Sequence, residues 1–160
     1  MKYVSPVTVS FGTFMPAASK TLVDADYRHL AEFRYFLRLF LSFSEDAARA
    51  ASLSPQQHQA LLAIRGFGGK LTVGELAQRL AIKPHSAVGM ANRLAEAGLV
   101  VRRASAGDRR QVVLRLTAAG TRKLAKLSKA HREELKRLAP LLAPLLNEMG
   151  YGSRRRPKGS

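Results

Sequence analysis

The stretch that decides the fold is Lys83–Val100, KPHSAVGMANRLAEAGLV, followed directly by Val101–Leu116, VRRASAGDRRQVVLRL. In the first half, small and apolar residues recur at helical spacing, and Gly98 suits the position just after a helix end. The second half predicts two strands, Val101–Arg103 and Gln111–Leu116, separated by a basic, turn-forming cluster. The stretch therefore predicts a helix followed by a short β-hairpin.

Two further helix starts precede this stretch. Ser54 can cap a helix, Pro55 suits its first position and Gln57 stands where a capping box needs it. Thr72 and Glu75 form a second capping box, which opens a short helix before a tight turn. Helix, helix, turn, helix and hairpin is the order of a winged helix-turn-helix.

Apolar helices are predicted on both sides of this unit. Asp24–Ala51 carries an apolar stripe wider than one core face needs. It is either the central helix of a monomer or a helix shared between the core and a dimer partner. Thr117 caps a long helix that Pro140 is expected to break or bend, so that Leu141–Met149 forms a separate, very apolar last helix. This last helix is a second candidate dimer surface.

The predicted fold class is thus mainly α with a small β-hairpin wing, flanked by N- and C-terminal dimerisation helices. The expected organisation is a flexible arm (1–23), a dimerisation helix (24–53), the winged helix-turn-helix (54–116), C-terminal dimerisation helices (117–150) and a basic tail (151–160). Arg154–Lys158 in that tail reads either as a phosphate-binding segment or as a disordered end.

Composition limits the partners. A net charge of +16 and a pI near 11.2 point to a polyanion, either nucleic acid or an anionic membrane surface. No apolar run approaches the length of a membrane span. Of the two polyanions, we expect nucleic acid and no membrane partner. The absence of cysteine removes disulfides, thiolate metal sites and cysteine catalysis, and it fits a cytoplasmic protein.

The chain offers no pattern typical of an enzyme. His29 with Glu32 and His131 with Glu134 are pairs three residues apart, which are common surface neighbours on helices rather than metal sites. There is no phosphate-binding glycine loop and no spacing typical of a catalytic triad. We therefore expect a binding protein with no cofactor and no metal.

The residue pattern predicts double-stranded DNA as the ligand of the helix and hairpin. Polar side chains at the start of the helix can donate to phosphates or base edges, and small residues allow close approach. An arginine on a thin loop suits a narrow minor groove. Asp108 is expected to orient an arginine, either Arg109, Arg110 or Arg93 of the neighbouring helix. A solvated helix face and a plain hairpin are the simpler alternatives. The predicted contacts are Lys83, His85, Ser86, Gly89, Asn92, Arg93, Arg103, Asp108, Arg109 and Arg110.

Two of these segments resemble the MarR family of transcriptional regulators. Asp108–Gly120, DRRQVVLRLTAAG, is similar to the wing signature of that family, and His85–Val100 is similar to its recognition helix and exit. The resemblance extends over about residues 24–149. Gly89 stands where many members have an arginine or another polar residue, and His85 is expected to take part of that role.

The resemblance implies a homodimer that reads a near-palindromic operator, with Arg109 as the wing arginine. Many members also bind a small aromatic or phenolic ligand near the dimer helices, for which Tyr35, His58 and Arg65 are the candidates here. The expected function is a DNA-binding regulator, a repressor released by such a ligand. The alternative is a winged-helix module for non-specific nucleic-acid or protein association, without a ligand switch.

Overall fold

The computed structural model describes residues 21–68, 71–104 and 112–148 of the chain. The order of its elements is α1 (Asp24–Ala50), α2 (Pro55–Gly66), β1 (Leu71–Thr72), α3 (Val73–Leu80), α4 (Pro84–Glu96), β2 (Val100–Ala104), β3 (Val112–Leu116) and α5 (Ala118–Glu148). The strands form one antiparallel sheet in the order β1–β3–β2. The predicted fold class, mainly helical with a β-hairpin wing, is confirmed.

Capping boxes begin α2 and α3, as the sequence predicts. The Oγ of Ser54 accepts from the backbone N–H of Gln57 at 3.1 Å, and the Gln57 side chain accepts from the N–H of Ser54 at 2.8 Å. Thr72 and Glu75 repeat this exchange at 3.2 and 2.8 Å. Each pair satisfies two backbone donors that a helix start leaves without partners.

Two tight turns orient α4, the helix at the centre of the predicted DNA-binding unit. Ala81 ends α3 with a left-handed backbone (φ 50°), and Gly98 follows α4 with nearly the same φ of 67°. At each turn the next N–H bonds back across the helix end, from Ile82 to the carbonyl of Ala77 and from Leu99 to that of Leu94. The turns fix the directions in which the chain enters and leaves α4.

The core lies where α2, α3, α4, the sheet and the first half of α5 meet. Its members are fully or almost fully buried apolar side chains from every one of these elements. The largest are Leu61, Ile64, Leu76, Leu94, Val100 and Leu114. Ala48 near the end of α1 belongs to the same cluster, so the C-terminal end of α1 packs against the winged domain.

The start of α5 is held against the turn that follows α4. The Oγ1 of Thr117 donates to the carbonyl of Gly98 at 2.7 Å and accepts from the N–H of Gly120 at 3.0 Å. Gly120 is buried so closely against the carbonyl of Leu99 that a Cβ at residue 120 would collide with it. Glycine is therefore required there by close approach rather than by its φ.

The prediction of a separate last helix after Pro140 is wrong. α5 continues for 31 residues through both Pro140 and Pro144. These prolines are four residues apart and exposed, so the carbonyls that lose their N–H partners lie on the solvent side, where water can satisfy them. Packing of Leu138 in the interior holds the helix together across the first proline.

α1 packs along α5, but this contact buries only part of the apolar surface of α1. Phe33, Phe36, Phe40 and Phe43 are half-buried, whereas Leu30, Leu37 and Leu41 are 44–46% exposed. The Nε2 of His29 lies 2.6 Å from a carboxylate oxygen of Glu148, and this contact joins the start of α1 to the end of α5. No helix within the described ranges is long and apolar enough to cross a membrane.

Candidate nucleic-acid interface

α4 has one buried face and one polar face. Ala87, Met90, Ala91 and Leu94 are buried against the core. The opposite face is polar and solvent-facing: Lys83, His85, Asn92 and Arg93 are exposed, and Ser86 and Gly89 are half-buried. The structure thus brings together all six predicted contacts that lie on this helix and its N-cap.

Arg93 lies back over Gly89. Its Nη1 atom is 3.3 Å from the position that a Cβ of residue 89 would occupy. Long side chains on a helix lean towards its N-terminus, so residues four apart meet on one face. The guanidinium group therefore lies over the turn N-terminal to its own Cα.

Asn92 is tied to the wing. Its Oδ1 accepts from the Nη1 of Arg102 on β2 at 2.6 Å. This bond occupies the acceptor of Asn92 and leaves its NH2 group as a donor. Sequence reasoning missed Arg102; the signal was strand alternation, which places Arg102 on the same face as the buried Val100 and therefore towards α4.

Arg103 lies on the other face of β2, where it is exposed. Asp108, Arg109 and Arg110 fall outside the described residues, so the wing arginine and the proposed pairing of Asp108 stay predictions. On α4, β2 and β3 the sole acidic residue is Glu96, against four exposed cations at Arg93, Arg102, Arg103 and Arg115. The surface formed by the polar face of α4 and by β2 is thus strongly positive and suits a phosphate backbone.

An open groove of about 540 Å³ lies between the start of α3, α4 and the wing strands. Arg102 and Glu75 are its charged lining residues. Hydrogen bonds from the backbone and side chain of Thr72 lower the pKa of Glu75, because they stabilise the carboxylate. Glu75 therefore remains ionised as a helix cap.

The three predicted ligand residues are at different places. Tyr35 is exposed on α1, with its ring centroid 5.6 Å from that of Phe36. Arg65 lines a hollow of about 170 Å³ between α2 and α5, together with Leu116, Thr121, Leu124, Ala125 and Ser128. Neither Tyr35 nor His58 is in the lining of that hollow.

His58 is buried at the junction of α1, α2 and α5. Its ring centroid is 4.6 Å from that of His131, which also contacts Phe43 on α1. Burial, and secondarily the charge of His131, lower the pKa of His58 below its ordinary value. A neutral, buried imidazole at this place is a packing element of the junction.

His131 spans the same junction by hydrogen bonds. Its Nδ1 is 2.8 Å from the carbonyl oxygen of Leu127, which can only accept, so Nδ1 carries the hydrogen. Its Nε2, 2.8 Å from the Oγ of Ser44, then accepts from that hydroxyl when the ring is neutral. Through this pair α5 is bonded directly to α1.

Comparison with known proteins agrees with this architecture. Residues 51–111, which include α2, α3, α4 and the first wing strand, match the family model described as MarR family. The resemblance to the MarR family is confirmed. The matched segment contains all ten predicted DNA contacts, from Lys83 to Arg110.

Solved structures share the MarR-type fold over most of the chain. AbsC, a MarR family transcriptional regulator from Streptomyces coelicolor, has a TM-score of 0.65 at 22% identity, covering 82% of this chain and 90% of its own. A mutant of MepR from Staphylococcus aureus bound to an oligodeoxyribonucleotide has a TM-score of 0.59 at 19% identity, covering 78% and 89%. CouR from Rhodococcus jostii bound to p-coumaroyl-CoA has a TM-score of 0.57 at 18% identity, covering 74% and 88%. No curated protein sequence matches the chain.

Proposed function

We propose that this protein is a sequence-specific DNA-binding transcriptional regulator, a repressor that acts as a homodimer on a near-palindromic operator in the cytoplasm. The observation that carries the proposal is the polar face of α4, which presents hydrogen-bond donors and the exposed guanidinium of Arg93 on a helix of the MarR type. Such a helix can enter the major groove while Lys83 and the wing contact phosphates. The proposed activity is binding, without catalysis.

The proposed dimer uses residues 24–53 and 117–150. Support comes from the exposed leucines of α1 and α5, since large apolar side chains grouped on one helix face usually mark an interface. To read both half-sites, a two-fold dimer must hold its two copies of α4 about 34 Å apart, which is one turn of B-DNA. The two-fold symmetry of such a dimer is the reason for expecting a near-palindromic site.

A ligand switch is part of the proposal. A mutant of MepR was solved bound to an oligodeoxyribonucleotide and CouR bound to p-coumaroyl-CoA, and this chain shares their fold. The hollow beside Arg65 has a cation, two hydroxyls and apolar walls, which suits a small aromatic anion. Such a ligand can shift DNA binding only as far as it prefers one dimer geometry over the other.

Selection of binding sequences from random duplex DNA tests the main proposal. We expect a palindrome with half-sites one turn apart, bound at least roughly a thousandfold more tightly than scrambled DNA at physiological salt. Equal affinity for both duplexes, with a steep salt dependence, would instead identify a non-specific nucleic-acid binder. Measuring both affinities at two salt concentrations separates these outcomes.

A further inference from the structure

The centre of the outward face of α4 has no side chain. With about 100° between successive residues, His85, Gly89 and Asn92 lie opposite the buried stripe. Gly89 is in the middle of this set, where a side chain would point most directly into a groove. Glycine inside a helix costs stability relative to alanine, so its presence here is not explained by helix formation.

The space above Gly89 is taken by the guanidinium of Arg93. Nη1 of Arg93 lies 3.3 Å from the Cβ position of residue 89, so even a methyl group there would press on it. Four residues of helix correspond to about 6 Å of rise. The donors of Arg93 are thereby moved towards the N-terminal end of α4, which is the end that enters the groove most deeply.

Among the described residues, the neighbours of Arg93 leave its guanidinium available. Asn92 has its acceptor bonded to Arg102, and within the described ranges Arg93 makes no ion pair. An arginine with two parallel donors matches the O6 and N7 acceptors of guanine in the major groove. Lysine carries the same charge but cannot make this two-point contact.

We propose that Arg93, extended across the gap left by Gly89, reads a guanine in each half-site and is a specificity-determining residue of this protein. Gly89 is a positioning residue, because the absence of a side chain leaves room for the Arg93 guanidinium over residue 89 and for the approach of a base edge. This inference rests on the proposed function, since it requires an operator.

The test repeats the selection on random duplexes with the full-length protein and three variants. Arg93→Ala and Arg93→Lys should each lower the ratio of operator to scrambled affinity by roughly 5- to 100-fold, the range for loss of one two-point base contact. The selected sequence should lose its guanine at one position per half-site. Lys83→Ala is the matched control, because loss of a phosphate contact lowers affinity for every sequence alike and reduces the salt slope by about one.

Gly89→Ala supplies the second arm. Its methyl group would lie 3.3 Å from the Nη1 of Arg93, so the guanidinium must shift, and preference should change at the same base pair that Arg93→Lys affects. In the Arg93→Ala background the same substitution should have no further effect on that preference. Such non-additivity is the mark of two residues that act on one contact.

Failure of this inference is distinct from failure of the proposed function. If the unchanged protein selects an operator but Arg93→Ala and Arg93→Lys weaken operator and scrambled DNA by the same factor, Arg93 is a phosphate contact and the inference is wrong. If the unchanged protein selects no sequence, the proposed function is wrong, and the inference about Arg93 is wrong as well.

Discussion

At the scale of single residues, His58 makes the stability of the fold depend on pH. Its pKa is lowered in the folded state by burial and by His131, from an ordinary value of 6.5. The unfolded chain therefore binds a proton more readily than the folded one, so stability is full above about pH 6.5 and falls as the pH drops below it. We expect Tm to decrease between pH 7 and pH 5, and His58→Gln to flatten that decrease. His85→Gln, at an exposed position on α4, is the control and should leave the slope unchanged in thermal melts followed by circular dichroism.

Gly120 is expected to tolerate no side chain. A Cβ there would collide with the carbonyl of Leu99, which is backbone and itself bonded to the N–H of Thr117. Forcing these groups apart should cost about 1–3 kcal/mol, the usual range for overpacking. Gly74→Ala is the matched control, because the space around Gly74 is open and alanine favours the helix. Denaturant titration of Gly120→Ala with an unchanged midpoint would show that the β3–α5 junction can relax.

At the scale of elements, the sequence predicts those helix boundaries that depend on residues close together in the chain. The capping residues Ser54 and Thr72 and the positive-φ glycine Gly98 each act within a few residues, and each helix boundary that they predict lies within a residue or so of the observed one. β1 was not predicted, because Leu71–Thr72 forms a strand only by pairing with Val113 and Leu114. A strand of two residues has no periodicity to read.

Tertiary contacts determine the features of the fold and of the candidate site that the sequence does not predict. Pro140 has a local preference for ending a helix, but packing of α5 along α1 overrides it. Likewise the bond from Arg102 to Asn92 joins residues ten apart on different elements. The sequence identified the polar face of α4, whereas these long-range partners required the structure.

The two turns that orient α4 can be compared directly. Ala81 and Gly98 have nearly equal positive φ values, 50° and 67°, yet only one of them is glycine. A left-handed conformation costs a residue with a Cβ roughly 1 kcal/mol. Ala81→Gly should therefore raise the free energy of unfolding by up to about 1 kcal/mol, and Gly98→Ala should lower it by a similar amount. Urea titrations of the two variants give the comparison, and a loss of stability in Ala81→Gly would mean that the flexibility of the unfolded chain dominates.

At the scale of the whole molecule, the unpaired surface of α1 leads to the proposed dimer. Leu30, Leu37 and Leu41 lie at spacings of seven and four, hence on one side of α1, and each is 44–46% exposed. α5 adds Leu141, which is 45% exposed beyond Pro140. Burying these side chains in an interface would contribute about 25 cal/mol of binding free energy per Å² of apolar surface.

Charges on this surface should separate the subunits. We expect Leu37→Glu combined with Leu41→Glu to give folded monomers in sedimentation velocity, because each carboxylate would be buried without a partner in the interface. Leu142 and Leu145, near the end of α5, also belong to the predicted dimer surface, but they are half-buried within the chain, so their replacement would disturb folding as well. Leu62→Glu on α2, at a leucine that is 50% exposed, is the matched control and should remain dimeric.

The monomer should also lose its operator. In the proposed dimer, two copies of α4 held at a fixed separation would bind both half-sites at once, and the second contact would gain from the high effective concentration that linkage provides. The affinity of the doubly substituted protein for the operator should therefore fall by roughly a hundredfold or more, whereas its affinity for scrambled DNA should change much less. A variant that still sediments as a dimer would place the interface elsewhere on the molecule, and a monomer with full operator affinity would mean that a single winged helix is enough for recognition.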